Sequence, residues 1–441
     1  MANALSIADG TTTISLSSSG CLLTRYVPTA PDLDASGDYR PVTETAEFFI
    51  SDSSAANVQA KIGSIERLLQ DAVRAQSGLC APVYLQFQTG ADAAAWRSEI
   101  LSFRLLLGDD ASVNLYQYRM DCRLIVTRRH YWEGAEAELE LSTSSLAAGT
   151  GGRSIYNHDD AGTGHDNWVQ IAAAQVAGSL PAGARIEIYC LGTSRTWRKI
   201  FVAHNALSDP ANFAHALEAE SRLSGGTITA EATASNGNKV NVVLAASSIT
   251  LTWALSAALL QDAAGRMFRV LASIFSTSGS TIEGIGQVAV RNAANTVNLW
   301  KGDIVPLLSA PGLMDFGAIP LPPGGYSTAY GELRLSLTIT GTGTWGIDFL
   351  QLTPTDGFAL LSCVHTIGNL DAVVMDSIED GEYAISGSTR LPCVSASGGQ
   401  IYLHPNRLQR LIFLCDSEEY NVYPPDMNLI RVYYRPRRLT V

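Results

Sequence analysis

Between Ser53 and Gly78 the chain reads SSAANVQAKIGSIERLLQDAVRAQSG, and the apolar residues Val58, Ile62, Ile65, Leu68, Leu69, Ala72 and Val73 recur at helical spacing. This single apolar stripe predicts one long amphipathic helix. Ser53 or Ser54 is placed to cap its start, and Gly78 follows its end as a left-handed terminator would. On both sides the pattern changes to short runs rich in β-branched and aromatic residues. TTTISLSS, LLTRYVP and VTETAEFFI precede the helix, and PVYLQFQTG, WRSEILSFRLLLG and VNLYQYRMDCRLIVTRRHYWEG follow it. Residues 1–142 are therefore expected to form a β-rich domain with one helix laid on a sheet.

After Gly134 neither period continues. Residues 143–163 are dominated by Gly, Ser, Thr and Ala and read as a linker. From 164 to 356 short strands return, separated by turn signals at intervals of roughly ten residues, the pattern of a β-sandwich. Residues 357–441 hold further strands, too few for a sandwich, and are expected to pack on the other domains. The fold class expected is mainly β. A chain of 441 residues has room for about three such domains.

Composition narrows the function. Charged residues make up only 16 % of the chain, against about 25 % in typical domains, which suits surface buried in contacts between copies. The net charge of -12 argues against a binder that neutralises nucleic-acid phosphates. It is compatible with a wall past which DNA slides without sticking. The seven cysteines Cys21, Cys80, Cys122, Cys190, Cys363, Cys393 and Cys415 are odd in number and include no C-x-x-C. They read as buried free thiols of a protein made in a reducing compartment. MANALSIADG has no basic region followed by an apolar core, so no secretory signal is expected. No run of 18 apolar residues exists, so no membrane partner is expected either.

No P-loop, GxGxxG after a strand, GxSxG or HExxH occurs, so the expectation is a protein that is not an enzyme, with no catalytic residues. The richest polar cluster is NHDDAGTGHDN, with His158, Asp159, Asp160, His165 and Asp166. Its glycines and Asx residues favour a structured hinge, and an ion site is the alternative. In TRRHYWEG, Arg128, Arg129, Tyr131 and Trp132 are the residue types enriched at protein interfaces. At the C-terminus Arg431, Arg435, Arg437 and Arg438 form a basic strip that would seat an acidic patch of a neighbouring subunit, or else a solvated tail.

Two resemblances add to this reading. LEAESRLSGGTITAEATASNGNKVNVVL, with Glu218-Ala219-Glu220 and then Ala234-Ser235-Asn236-Gly237, resembles the opening of galactose-binding-like jelly rolls found in carbohydrate-binding modules. WGIDFLQL supplies Asp348 where the last strand of that family carries an acidic residue. The resemblance implies a structural calcium ion held by Glu218, Glu220 and Asp348, an otherwise cofactor-free protein, and a cell-surface glycan as a partner. Oxygen ligands suit that hard cation.

The order of a β-unit with one long helix, IVTRRHYWEG, NHDDAGTGHDN, a jelly roll and a closing YLHPNRLQRLIFL resembles minor tail proteins of long-tailed phages of the distal-tail, baseplate-hub type. It implies a tube-like N-terminal domain that closes into a ring, a hexamer or trimer, joining the tail tube to the tip or receptor-binding apparatus. Tail-tube and tail-tip hub proteins would be its partners, DNA would only pass through the lumen, and the protein would be assembled in the host cytoplasm and reside in the virion tail. The competing reading is a carbohydrate-binding sandwich protein.

Overall fold

The computed structural model describes residues 3–18, 20–108, 118–159, 164–192, 195–206, 215–245, 248–256, 259, 267–321, 330–354, 357–363, 365–379, 381–417 and 428–441. The protein is mainly β with one long helix. It forms two compact units. The first comprises 1–137, 177–181 and 435–441, and the second 138–176 and 182–434.

The first unit is a sheet in the order Thr13–Ser15, Ala4–Ala8, Tyr84–Gln88, Trp96–Leu107, Arg119–Arg128, Val42–Ser51, Cys21–Tyr26. Trp132–Glu133 and Arg437–Arg438 are added at its side, so the chain's end returns to the unit that its beginning started. The helix Ala55–Ala75 follows the predicted stripe: Val58, Ile62, Ile65, Leu68, Leu69 and Ala72 are buried, whereas Val73 is 48 % exposed. Ser54 caps its first turn by accepting from the Asn57 N–H. At its end Gly78 adopts φ +71°, and the N–H groups of Gly78 and Leu79 donate to the carbonyls of Ala75 and Arg74. That pair of bonds satisfies carbonyls a helix end leaves open.

The second unit contains one sandwich inserted in another. The outer sandwich has one sheet built from Leu141–Ser142, Trp168–Ile171, Gln409–Ser417, Arg195–Asn205, Phe358–Ser362 and Val394–Gly398. Its other sheet is built from Arg153–Ile155, Asn428–Tyr434, Ala182–Cys190, Ala372–Asp376, Gly381–Ser386 and Thr389–Pro392. Together they enclose a core that includes Ile186, Ile188, Trp197, Val202, Leu361, Val373, Phe413 and Val432. The inner sandwich runs from His215 to Pro354. One sheet holds Thr227–Ala230, Asn238–Ala245, Thr342–Pro354, Met267–Thr281 and Gly312–Pro320, with His215–Glu218 paired to Thr342–Pro354. The opposing sheet holds Ser248–Ala254, Tyr330–Ile339, Gly284–Asn292 and Asn298–Pro306.

This arrangement corrects the division at 164–356. Among the described residues, strands between 168 and 205 pair with strands after 357 and not with those between 215 and 354. The inner sandwich enters and leaves between Arg195–Asn205 and Phe358–Ser362, which pair with each other, Ala203 opposite Phe358. It is thus inserted at the turn of a hairpin, a surface position where an extra domain leaves the host sheet intact. Phe201 and Leu414 of the outer sandwich meet Leu271, Leu313 and Phe349 of the inner one in a shared apolar seam.

The described part of 143–163 is also not an open linker. Arg153–Ile155 pairs with Asn428–Tyr434, and a Cβ on Gly152 would stand 2.6 Å from the carbonyl oxygen of Ile430. Glycine serves close packing there. The segment 357–441 supplies strands to both sheets of the outer sandwich and to the first unit, where it was expected only to pack against them. Among the described residues no helix is long and apolar enough to cross a membrane.

Candidate functional site: a sheet edge and buried polar clusters

In the strand Val42–Ser51 every second residue faces the core, and the pattern places Glu44 among Val42, Ala46, Phe48 and Ile50. The same alternation in Arg119–Arg128 places Arg128 beyond Leu124 and Val126. The two meet: Arg128 Nη2 lies 2.6 Å from Glu44 Oε1, and both side chains are fully buried. Glu44 also accepts from the Tyr26 hydroxyl at 2.6 Å and the Thr29 N–H at 2.8 Å. Arg128 donates to the carbonyls of Arg129 and Thr29 and lies over the Trp132 ring, 4.3 Å from its centroid. Burial, with the Glu44 charge beside it, pushes the Tyr26 hydroxyl far above its ordinary range.

Arg128 and Trp132 are therefore core residues, and their assignment to an interface is corrected. Two charges removed from water persist only when each is paired and hydrogen-bonded. Of the four residues singled out in TRRHYWEG, Arg129 is exposed and bound to Glu99 at 2.6 Å, and Tyr131 is half-buried beneath Arg437. Three of the four C-terminal arginines likewise find acidic partners within their own chain, and Arg431 lies over the Tyr189 ring. Arg437 binds Glu133 at 2.7 Å, Arg438 binds Asp92 at 3.3 Å and covers Trp96, and Arg435 binds Glu136 at 3.3 Å.

One surface of this unit, as described, is a sheet edge. Cys21–Tyr26 ends the sheet, pairing with Val42–Ser51 on one side; among the described residues no strand pairs on its other side. Leu22 is 52 % exposed there, and Val27 and Leu33 on the following segment are 65 % and 59 % exposed. An unpaired edge flanked by apolar side chains is a template for another strand. A bulge between Leu23 and Arg25 interrupts the edge, which limits open-ended addition.

In NHDDAGTGHDN the described residues act as a lock inside the outer sandwich; Asp160 lies outside the described residues. The Asn157 amide donates to the Cys415 carbonyl at 2.8 Å and accepts the Cys415 N–H at 2.6 Å. The Asp166 carboxylate accepts the Ser144 N–H and hydroxyl at 2.8 and 2.6 Å. His165 stacks on Tyr156, and His158 meets His165 edge-on. Burial, aided by the His165 charge, lowers His158 to about 3. Among the described residues no group of three or more His, Cys, Asp or Glu is arranged to hold a metal ion.

That statement covers Glu218, Glu220 and Asp348 too, yet these three carboxylates do converge. Ser235 joins two of them, its hydroxyl donating to Glu218 and its N–H to Asp348, both at 2.9 Å. Asn236 donates to Glu220 at 2.7 Å, while among the described residues no donor reaches the second, buried Glu220 oxygen. Burial, and then the charges of Glu218 and Glu220, hold the Asp348 carboxyl well above the usual range.

One exposed feature escaped the sequence reading. The strand Asn298–Pro306 lies at the end of its sheet, with Leu299, Trp300 and Ile304 exposed by 42 %, 47 % and 61 %. Its signal was large apolar residues at both parities of one short strand, which a fully buried strand also shows.

No family model matches the chain, and no curated protein matches it. Among solved structures it is similar to the Dit protein of phage SPP1, described as a paradigm of the hub adsorption apparatus in phages infecting Gram-positive bacteria. The identity is 7 %, the coverage 99 % of both chains and the TM-score 0.34. It is similar to a chain of the phage P2 baseplate in its activated conformation with Ca, at 7 % identity, 99 % and 98 % coverage and a TM-score of 0.32. These TM-scores are too low to define a shared fold.

Proposed function

We propose that this chain is a structural protein of the tail tip of a long-tailed phage, of the distal-tail type, and that its N-terminal unit closes into a homo-oligomeric ring. The observation that carries this reading is the open edge strand Cys21–Tyr26 with exposed Leu22 and the exposed Val27 beyond it. Its supports are the low charge of the chain and the resemblance in element order. When such an edge receives a strand from a different surface of the next copy, the contact is head to tail and closes into a ring when its rotation allows. The work of the protein is then assembly, and the inner sandwich presents the exposed strip around Trp300 to a partner at the tip.

Light scattering of the full chain is expected to show a hexamer or trimer. Leu22→Lys with Val27→Lys is expected to yield monomers with an unchanged circular dichroism spectrum. A wild-type protein that stays monomeric at high concentration overturns the ring. The alternative, a sandwich protein that binds cell-surface glycans, would use Trp300 as its stacking surface. It predicts a monomer that loses glycan binding in Trp300→Ala.

We further propose that Glu218, Glu220 and Asp348 hold a structural calcium ion, whose charge would offset their mutual repulsion. A ligand bound only by the native state at a hundred times its Kd stabilises by about 2.7 kcal/mol, so chelation is expected to lower the melting temperature. The sign for Asp348 follows from its raised folded-state pKa: the contribution of this one carboxyl is present in full below about pH 4 and is lost as pH rises, unless a cation neutralises the cluster. Asp348→Asn is therefore expected to be at least as stable as the parent in chelator at neutral pH, and to gain nothing from calcium. Equal melting with calcium and with chelator in the parent removes the site.

A further inference from the structure

We propose that Cys363 and Cys393 form a disulfide when the protein meets a small-molecule disulfide such as oxidised glutathione, closing a staple across the outer sandwich. Two contacts bracket the pair. On one side Ser362 stands opposite Val394 in antiparallel register, so the next residues along, Cys363 and Cys393, come opposite each other. On the other side the His365 ring Nε2 lies 2.9 Å from the Pro392 carbonyl oxygen. Opposed residues of antiparallel strands have Cβ atoms about 4.5–5.5 Å apart, and their Cα separation falls within the span of a disulfide. Cys363 is buried in the core of the outer sandwich, and Cys393 packs against that core while reaching solvent.

The other cysteines differ. Cys21 and Cys122 are buried in the first unit at strand positions opposite Ile50 and Phe48, and burial pushes Cys122 up to about 12, which leaves it inert. In the Cys363–Cys393 pair, by contrast, the hydrogen bond between the two thiols lowers Cys363 to about 6 and raises Cys393. The proton shared between the two thiols thus favours one sulfur of the pair as the nucleophile.

The chemistry balances as thiol–disulfide exchange. One sulfur of the pair attacks oxidised glutathione, forming a mixed disulfide and expelling one glutathione thiolate. The second sulfur loses its proton to solvent and attacks the mixed disulfide, expelling the other glutathione. Two protein thiols are oxidised and one glutathione disulfide is reduced to two thiols. The position gives the bond a structural effect. Cys393 is the crossing point between Thr389–Pro392 in one sheet and Val394–Gly398 in the other. The closed loop would hold Ala372–Asp376 and Gly381–Ser386, and constraining a loop of that length in the unfolded chain stabilises the folded one.

The test uses the full chain, reduced and then treated with oxidised glutathione, quenched by alkylation and mapped under non-reducing conditions. The expected product is a Cys363–Cys393 linked peptide, absent in Cys393→Ser. The oxidised wild type is expected to melt about 5 °C or more above the reduced form, with the gain reversed by dithiothreitol. Cys80, the half-exposed thiol of the first unit, reports on reagent access. Complete glutathionylation of Cys80 with no Cys363–Cys393 link, or linkage of either residue to a different cysteine, overturns the proposal.

Discussion

Arg128→Ala is expected to destabilise the first unit by about 3–5 kcal/mol, the cost of leaving one charge of a buried pair without its partner. The substitution strands Glu44 with two neutral donors, Tyr26 and Thr29, in a fully buried site. It also removes the guanidinium that covers the Trp132 ring. The double variant Arg128→Met with Glu44→Leu removes both charges and is expected to recover most of the loss. The shortfall would measure the Tyr26 and Thr29 groups left without an acceptor, about 1–3 kcal/mol each at most. Urea denaturation followed by tryptophan fluorescence reads these differences. A loss below about 1 kcal/mol for Arg128→Ala would show that water or a rearranged partner reaches Glu44, and that the pair does not hold the sheet.

Acidification is expected to unfold the second unit through its buried histidines. His204 is buried, with its Nε2 2.9 Å from the Gln409 side-chain oxygen and its ring stacked 5.9 Å from His404. Burial lowers it to about 4, with the His404 charge adding to the shift and the Gln409 bond opposing it. His158 is lowered to about 3. Both are neutral in the folded protein and take up protons near pH 6.5 when unfolded. Their contribution is therefore present in full above about pH 6.5 and is lost as pH falls through the folded values near 4 and 3. For His204 alone the loss at pH 4.5 is about 2.5 kcal/mol, at 1.4 kcal/mol per unit. His204→Gln, which keeps a neutral polar group beside Gln409, is expected to flatten the decline between pH 7.5 and 4.5 by that amount. Parallel pH profiles for parent and variant would mean that His204 gains its proton without unfolding.

The local chemistry of these elements was written in the sequence. The stripe Val58, Ile62, Ile65, Leu68, Leu69 and Ala72 is buried as its spacing requires, because helical periodicity is a property of neighbours a few residues apart. Val73, next to Ala72, falls off the stripe. The mainly-β class and most strands were legible for the same reason. Glu44 and Arg128 were readable as core-facing by alternation, yet Arg128 was assigned to a surface by its residue type. Only the pairing of the strands Val42–Ser51 and Arg119–Arg128 shows that the two charges neutralise each other.

The sequence by itself determined the helix, its caps, the class of fold and the absence of familiar catalytic motifs. The tertiary structure decided which strands share a sheet. Period two says that a strand has a core face, and it carries no information about which partner, near or distant, will hydrogen-bond to it. So the nested insertion stayed invisible: Arg195–Asn205 and Phe358–Ser362 are neighbours in one sheet although the whole inner sandwich lies between them in the chain. The same long-range closure turned a Gly-rich linker into a packed strand at Gly152. It brought Cys363 opposite Cys393, and it gave Arg437 and Arg438 their partners Glu133 and Asp92. Each of these depends on backbone pairing between segments far apart in sequence, which no local pattern of side chains specifies.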